Sequence, residues 1–192
     1  NVVASLGTAL SRNQITLLSR ATDSKKILLN FDSDNAGIRA ANRAISEVEN
    51  LAIQGQLDLR VLQLPSGKDP DEFLKDNSPS EYEALAAKSP LWMDWQIDQS
   101  LKDLDLSKSD QFQEAVSSLV SLLGKLPQTA IRTHYLQKVA QRLSGGQGRF
   151  ALQLEEDLRN QISGQRWHGR SKKIDKPQEI SLRERSEADI LF

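Results

Sequence analysis

"ILLNFDSDNAGIRAANRA", residues 27–44, joins a short apolar run to two aspartates two positions apart and then to an alanine-rich helical pattern. An apolar run of strand length followed at once by helical spacing is typical of a βα unit. The pattern predicts a helix that ends near Gly55 and presents one face of small and aliphatic residues to a sheet. That face comprises Ala41, Ala44, Ile45, Val48 and Ala52.

Two further apolar runs have the length of a strand, and helix-length segments separate all three. The three predicted strands are Val2–Leu6, Ile27–Phe31 and Leu57–Leu64. This rhythm predicts an α/β fold with a partial parallel sheet and flanking helices. After Pro65 only helical spacing remains, which predicts an all-α helical bundle. Its predicted core stripes are Phe112, Val116, Leu119 and Leu123, followed by Ile131, Tyr135, Val139 and Leu143.

Changes in composition divide the chain into four predicted regions. The α/β part covers residues 1–88, and the helical bundle covers residues 89–163. Residues 164–180 are polar and basic, which favours a flexible linker, and residues 181–192 look like the truncated start of another domain. We therefore expect a piece of a longer protein.

Composition excludes several classes of site. With 192 residues and no cysteine, the chain has no disulfide, no thiolate nucleophile and no zinc ribbon of its own. The net charge of −1 gives no general attraction for nucleic acid. No apolar run reaches the length of a membrane span, and the N-terminal residues lack a signal-peptide pattern. We expect a cytoplasmic protein that does not bind membranes.

Asp32 and Asp34 follow the second predicted strand at its carboxyl end, where open α/β sheets bind ligands. If strand geometry continued through them, both carboxylates would point to the same side. Two close anions require a compensating cation, and Mg²⁺ is a hard ion that prefers oxygen ligands. Gly37 would let the backbone approach closely. The alternative is that these aspartates only cap the following helix.

A second acidic segment, Gly67–Leu74, follows the third predicted strand. Its local pattern predicts a helix start, because Asp69 is a good N-cap and Pro70 suits the first helical position. In a parallel sheet, however, Asp69 and Asp71 would lie at the same edge as Asp32 and Asp34.

Trp92, Met93 and Trp95 follow a predicted helix start after Pro90. Tryptophan can stack on nucleic acid bases, but packing in the core is the more common role of such a cluster. We therefore assign the three side chains to the core of the helical bundle.

Three blocks of sequence, taken in order, resemble bacterial DNA primase. They are Ala4–Leu10, then Phe31–Gly37 with the alanines and Arg43 that follow, and then Leu64–Leu74. Their order is similar to the Toprim subdomain of the primase RNA polymerase domain, and the helices beyond are compatible with its helical subdomain. The glycine common between the paired aspartates of the family is replaced here by Ser33.

The resemblance implies a function in DNA replication. Asp32 and Asp34 would be catalytic metal ligands, and Asp69 and Asp71 further ligands, for Mg²⁺ or Mn²⁺. The reaction would be synthesis of RNA primers from ribonucleoside triphosphates on a single-stranded DNA template. The family's Toprim glutamate and zinc site would lie before Asn1, so this fragment alone is expected to make no primer. Residues 181–192 would begin the domain that binds the replicative helicase, and we expect a monomer. No nucleic-acid-binding residue is assigned.

Other functions remain open at this point. Topoisomerases and some nucleases share the acidic pair of the Toprim fold. A phosphatase of the haloacid-dehalogenase type also has two aspartates after an apolar strand and would use Asp32 as its nucleophile. The fragment could also be a scaffold without catalytic function.

Overall fold

The computed structural model describes residues 10–32, 34–65 and 69–174, with side chains up to residue 164. These residues form two strands and eight helices, in the order α1, β1, α2, β2 and then α3 to α8. The strands are β1 (Lys26–Asn30) and β2 (Asp58–Leu62). The helices are α1 (Arg12–Arg20), α2 (Asn35–Ile53), α3 (Pro70–Asp76), α4 (Pro79–Lys88), α5 (Trp92–Leu101), α6 (Ser109–Gly124), α7 (Ala130–Leu143) and α8 (Gly148–Ile174). Two compact units divide at Arg132.

The sheet confirms two of the predicted strands and their parallel direction. β1 and β2 pair in parallel, with Lys26 opposite Asp58 and Asn30 opposite Leu62. The helix α2 connects them, as a parallel pair requires. The remaining predicted strand, Val2–Leu6, lies outside the described residues.

Helix α2 packs its predicted face into the core. Ala41, Ala44, Ile45 and Val48 are buried, whereas Ala52 is only half-buried near the end of the helix. Three of the five positions are alanines, which let a helix approach a sheet closely because they have little side-chain volume. The helix ends at Ile53, two residues before Gly55, which has a φ of 70°.

Helices α3 and α4 pack at the carboxyl end of the sheet. Leu62, Leu64 and Phe73 form a buried cluster there, and Tyr82 of α4 packs against it. The rings of Phe73 and Tyr82 lie 6.3 Å apart between centroids and are tilted by 57°. Asn30, the last residue of β1, donates a hydrogen bond from Nδ2 to the Tyr82 hydroxyl at 3.3 Å. Both strands are therefore linked to the α3–α4 pair.

A capping box begins helix α4. The Glu81 carboxylate accepts hydrogen bonds from the Ser78 backbone N–H at 2.7 Å and from the Ser78 hydroxyl at 2.9 Å. The Ser78 backbone and then its hydroxyl lower the pKa of Glu81, because both donors favour the ionised carboxylate.

The bundle is attached to the edge of β2. The backbone N–H of Val61 donates to the Pro90 carbonyl at 3.2 Å, and Arg60 and Leu91 form an antiparallel bridge. The Arg60 guanidinium also donates to the Ser89 carbonyl at 3.0 Å and forms an ion pair with Asp58 at 3.1 Å. These contacts fix where α5 begins.

The predicted bundle core is confirmed in α5 and α6. Trp92, Met93 and Trp95 are all buried. Val116, Leu119 and Leu123 of α6 are buried as well, whereas Phe112 in its first turn is half-buried.

Helix α7 buries its predicted stripe, with one exception. Tyr135, Val139 and Leu143 are buried, but Ile131 is 50% exposed because its position in the first turn lies outside the core. Helix α8 buries Leu154, Leu158 and Ile162 at helical spacing.

The expected linker differs from the structure. Helix α8 continues through Ile174, so residues 164–174 have a helical backbone and not an irregular one. This part contains no proline, the residue that most strongly ends a helix, and its lysines and arginines are good helix formers. Residues 175–180 and the expected new domain at 181–192 lie outside the described part.

No helix in the described parts of the chain combines the length and the apolar character needed to cross a bilayer.

We expect Phe73→Ala to lower the free energy of unfolding by about 3–5 kcal/mol, because it opens a cavity in the cluster that joins α3 to β2. Urea denaturation measures the loss. Leu74→Ala is the matched control: Leu74 is 44% exposed, compared with 5% for Phe73, so its truncation should cost about 1 kcal/mol or less. Equal losses for the two variants would contradict the packing of Phe73.

We expect the capping box to make the stability of the folded chain depend on pH. The pKa of Glu81 is lowered in the folded chain, so its stabilisation is present above the unfolded pKa and is lost as the pH falls through the folded pKa. Glu81→Gln should therefore reduce the loss of stability between about pH 7 and about pH 3. Unfolding midpoints at both pH values measure this, with Glu83→Gln of the same helix as control. An identical pH dependence in wild type and Glu81→Gln would contradict it.

Candidate metal-binding site

The first acidic loop leaves the sheet immediately after β1. The strand ends at Asn30, so Asp32 lies in the loop and Asp34 immediately precedes α2. The prediction that the two carboxylates point to the same side was based on the alternation of side chains along a strand. That reason does not hold, because neither residue belongs to the strand. Both aspartates are exposed.

Asp34 is the N-cap of α2. Its Oδ1 accepts a hydrogen bond from the Gly37 backbone N–H at 2.7 Å, and its backbone is extended with φ −80° and ψ 173°. Asp34 therefore does cap the helix, as the alternative interpretation expects, but the cap does not decide whether that is its only role. A carboxylate has about four lone-pair sites, so one capping bond is compatible with a metal bond as well.

Gly37 brings the first turn of α2 against the loop that carries Asp32. A Cβ at Gly37 would lie 2.7 Å from the Asp32 carbonyl carbon and 2.9 Å from its amide nitrogen, and it would overlap the carbonyl oxygen. Side chains other than hydrogen therefore do not fit without moving this backbone. The predicted close approach at Gly37 is confirmed, and it determines where Asp32 lies.

The second acidic loop reaches α3 through residues 66–68, which are outside the described part. Asp69 is the N-cap of α3 and accepts from the Glu72 backbone N–H at 2.7 Å, with Pro70 at the first helical position. Asp71 follows in the first turn and forms an ion pair with Lys75 at 2.6 Å. The helix-start pattern is confirmed, and both carboxylates are exposed.

Both loops follow the same edge of the sheet. Because β1 and β2 are parallel and Asn30 pairs with Leu62, the chain leaves both strands at the same level. The packing of Phe73 against Leu62 then keeps the start of α3 near that edge. This agrees with the topology from which the site was inferred.

The donor set fits a hard divalent cation. Mg²⁺ is commonly held by one or two carboxylates and completes its shell with water and substrate phosphates. The exposed carboxylates of Asp32 and Asp34 suit this role. In the described parts of the chain, no three histidine, aspartate or glutamate side chains are grouped so that they could hold a metal ion. The shared site of Asp32, Asp34, Asp69 and Asp71 therefore stays a prediction.

Asn30 and Tyr82 support the site but were not identified from the sequence. Their hydrogen bond joins the end of β1 to α4 across 52 positions of the chain. A separation of that length leaves no periodic signal, so only the tertiary structure shows the contact.

We expect Gly37→Ala to lower the free energy of unfolding by about 1–3 kcal/mol, because the added methyl group must displace the Asp32 backbone. Urea denaturation measures the change. Gly164→Ala is the control, since a Cβ there meets open space, and it should raise helix stability by up to about 1 kcal/mol. Unchanged stability in Gly37→Ala would contradict the close approach.

Two family models match the chain. Residues 1–74 match the family described as Toprim-like. Residues 93–148 match the family described as the DnaB-helicase binding domain of primase. The second match falls on the helical bundle and precedes residues 181–192, where the resemblance to primase predicts the start of a helicase-binding domain. The predicted domain boundaries remain a prediction.

Curated relatives and solved structures agree with the resemblance found in the three sequence blocks. A DNA primase of Synechococcus elongatus is 59% identical over 191 residues, which are 100% of this chain and 28% of the relative. The solved DnaG catalytic core has a TM-score of 0.58 and 28% identity, covering 73% of this chain and 44% of that structure. The DnaG primase catalytic domain bound to ssDNA has a TM-score of 0.57 and 26% identity, covering 76% of this chain and 44% of that structure. This chain thus spans less than a third of that curated relative.

Proposed function

We propose, from the homology of the whole chain to a segment of the bacterial DNA primases, that this protein is part of an enzyme that makes RNA primers for DNA replication. The observation that carries the proposal is the parallel pairing of β1 and β2, which sends both acidic loops to one edge of the sheet. The Toprim-like match covers this same part of the chain.

We assign the acidic residues of the two loops to a divalent metal, Mg²⁺ or Mn²⁺. Asp32 and Asp34 are the proposed catalytic ligands, and Asp69 and Asp71 complete the acidic surface. When bound, the cation stabilises the charge of phosphoryl transfer and activates the attacking hydroxyl. The carboxylates would bind the cation and hold it in place. Gly37 positions the Asp32 backbone, and the hydrogen bond that caps α2 positions Asp34.

The proposed substrates are ribonucleoside triphosphates and a single-stranded DNA template. The primer 3′-hydroxyl loses its proton and attacks the α-phosphate of the incoming nucleotide, the bond between the α- and β-phosphates breaks, and pyrophosphate leaves. The similar DnaG catalytic domain that was solved with ssDNA supports the template. The family match on residues 93–148 supports the replicative helicase as partner. We propose that the protein acts as a monomer at the replication fork, in the cytoplasm.

We further propose that residues 1–192 alone make no primer. Residues 1–192 correspond to 28% of the matched primase, and templated synthesis needs reactants that are positioned by several groups at once. The phosphatase and topoisomerase alternatives have no support in the matches to primases. If this segment served only as a scaffold, Asp32 and Asp34 would have no role in catalysis.

The test uses Asp32→Asn and Asp34→Asn in the complete primase that contains this segment. Asparagine also caps helices well, so Asp34→Asn removes charge while it keeps the start of α2. Primer synthesis on single-stranded DNA should fall about a hundredfold or more, which corresponds to several kcal/mol of transition-state stabilisation. Mn²⁺ binding, followed by electron paramagnetic resonance, should weaken in both variants.

Asp110→Asn is the control, because Asp110 is an exposed carboxylate in the first turn of α6 and belongs to neither acidic loop. Its primer synthesis and Mn²⁺ binding should equal those of the wild type. If Asp32→Asn and Asp34→Asn both retained normal synthesis and Mn²⁺ binding, the proposed metal role would be wrong.

A further inference from the structure

Charge is divided unevenly between the two compact units of the chain. Residues 1–132 contain fourteen basic and eighteen acidic side chains, whereas residues 133–174 contain eight basic and three acidic ones. No aspartate or glutamate occurs between Glu114 and Glu155. The overall net charge of −1 therefore conceals a segment with a net charge of +5, which comprises most of α7 and all of α8.

Helix α7 carries its polar side chains on one face, in two rows. The opposite face is buried and consists of Tyr135, Leu136, Val139, Ala140 and Leu143. One polar row is Thr133, Gln137 and Gln141, and the other is His134, Lys138 and Arg142. Lys138 is half-buried and the other five are exposed. Within each row the residues are four positions apart, so they lie on the same side of the helix at intervals of about 6 Å along its axis.

The turn after α7 is open and leads to a further cation. The backbone N–H of Gly145 donates to the Arg142 carbonyl at 3.2 Å, and that of Gly146 donates to the Gln141 carbonyl at 3.1 Å. A Cβ at either glycine would meet nothing within 4 Å, so a partner can approach the turn. Arg149 is exposed in the first turn of α8. Three cations thus follow one another from Lys138 to Arg149 with no carboxylate between them in the sequence.

The residue types on this face are those that contact a nucleic acid backbone. Lysine and arginine bind phosphates, and threonine and glutamine side chains hydrogen-bond to phosphate and sugar oxygens. The centre of a protein–protein interface is instead rich in apolar and aromatic side chains. Among residues 133–142, no exposed side chain is aliphatic, and the imidazole of His134 is the one exposed ring. The face therefore favours a phosphate backbone over an acidic protein.

The same composition favours a duplex over a single strand. Proteins that bind single strands without sequence preference stack the bases on aromatic side chains. The ring of His134 already makes an edge contact with the ring of Tyr135, with 5.5 Å between centroids, and Tyr135 is buried. A duplex needs no stacking surface, and it presents twice the phosphate charge of a single strand along its axis.

We propose that the two polar rows of α7, hereafter the basic face, bind the phosphate backbone of a nucleic acid duplex without preference for its sequence. Lys138 and Arg142 pair with phosphates, and Gln137 and Gln141 donate hydrogen bonds to backbone oxygens. This inference rests on the charge and chemistry of the second unit and does not require the acidic loops. In a primase, the duplex would be the primer paired with its template.

Fluorescence anisotropy with a labelled duplex measures binding to the 192-residue chain, with EDTA present to remove divalent metal. Affinity should fall steeply between about 50 and about 200 mM salt, because each phosphate contact releases counterions. Lys138→Gln and Arg142→Gln, combined in one variant, should weaken binding about tenfold or more at about 0.1 M salt. The slope of log affinity against log salt should decrease by about 2, or about 1 for each lost contact. Two duplexes of unrelated sequence should bind alike.

Two matched controls separate the basic face from general charge effects. Lys88→Gln combined with Lys102→Gln removes the same charge from exposed lysines of the first unit, and it should bind like the wild type. Gln137→Glu adds a carboxylate to the uncharged row and removes no cation, so binding should weaken several-fold. Gln113→Glu adds the same charge at an exposed position of α6 and should leave binding unchanged.

Four results would overturn the proposal. They are no duplex binding by the wild type at about 50 mM salt, equal losses in the Lys138/Arg142 and Lys88/Lys102 variants, equal binding of a single strand of the same length, and equal competition by polyglutamate at the same charge concentration. The last result would identify an acidic protein as the partner.

The wild type and Gln137→Glu decide the outcome even if the Lys138/Arg142 variant fails to fold, which circular dichroism detects. Asp32→Asn should bind the duplex like the wild type, because EDTA is present. Failure of the metal site and failure of the basic face are therefore seen separately.

Discussion

The parallel register of β1 and β2 is the constraint on which the rest of the first unit depends. With Asn30 opposite Leu62, the chain leaves both strands at one edge of the sheet, and each exit leads through an acidic loop into a helix. The cluster of Leu62, Leu64 and Phe73 holds α3 at that edge by burial of apolar surface. A shift of one residue in a strand would turn every side chain to the opposite face and would expose this cluster.

Local helix chemistry and the proposed metal chemistry use the same carboxylates. Asp34 and Asp69 each accept a backbone N–H as N-caps, at 2.7 Å in both cases. The cap places a carboxylate at a helix N-terminus, and the start of a helix follows directly from the end of a strand. Two parallel strands thus each lead, at the same edge of the sheet, to a helix that begins with an acidic cap. Gly37 adds a further constraint in the first loop, since it sets how closely α2 approaches Asp32.

Much of this arrangement could be predicted from particular residues. The burial of Ala41, Ala44, Ile45 and Val48 followed from helical spacing, and the caps followed from Asp34 and from Asp69 before Pro70. The prediction of a flexible linker was wrong for the backbone of residues 164–174, which is helical. A low content of apolar core residues indicates that a segment is exposed, but it does not indicate that its backbone is irregular. The alignment of Asp32 with Asp34 was argued from strand alternation, which ends at Asn30.

The sequence by itself determined the local elements and the resemblance to bacterial DNA primases, because caps, periodicity and motif order depend on residues close in the chain. Only the tertiary structure decided the bond from Asn30 to Tyr82, the overlap that excludes a side chain at Gly37, and the bond from Gln96 to Asn42. The physical reason is the same for the first and the last: each depends on residues more than 50 positions apart, brought together when the sheet and the bundle pack. The overlap at Gly37 spans only five positions, but it depends on the path of the chain between β1 and α2, which no periodic pattern describes.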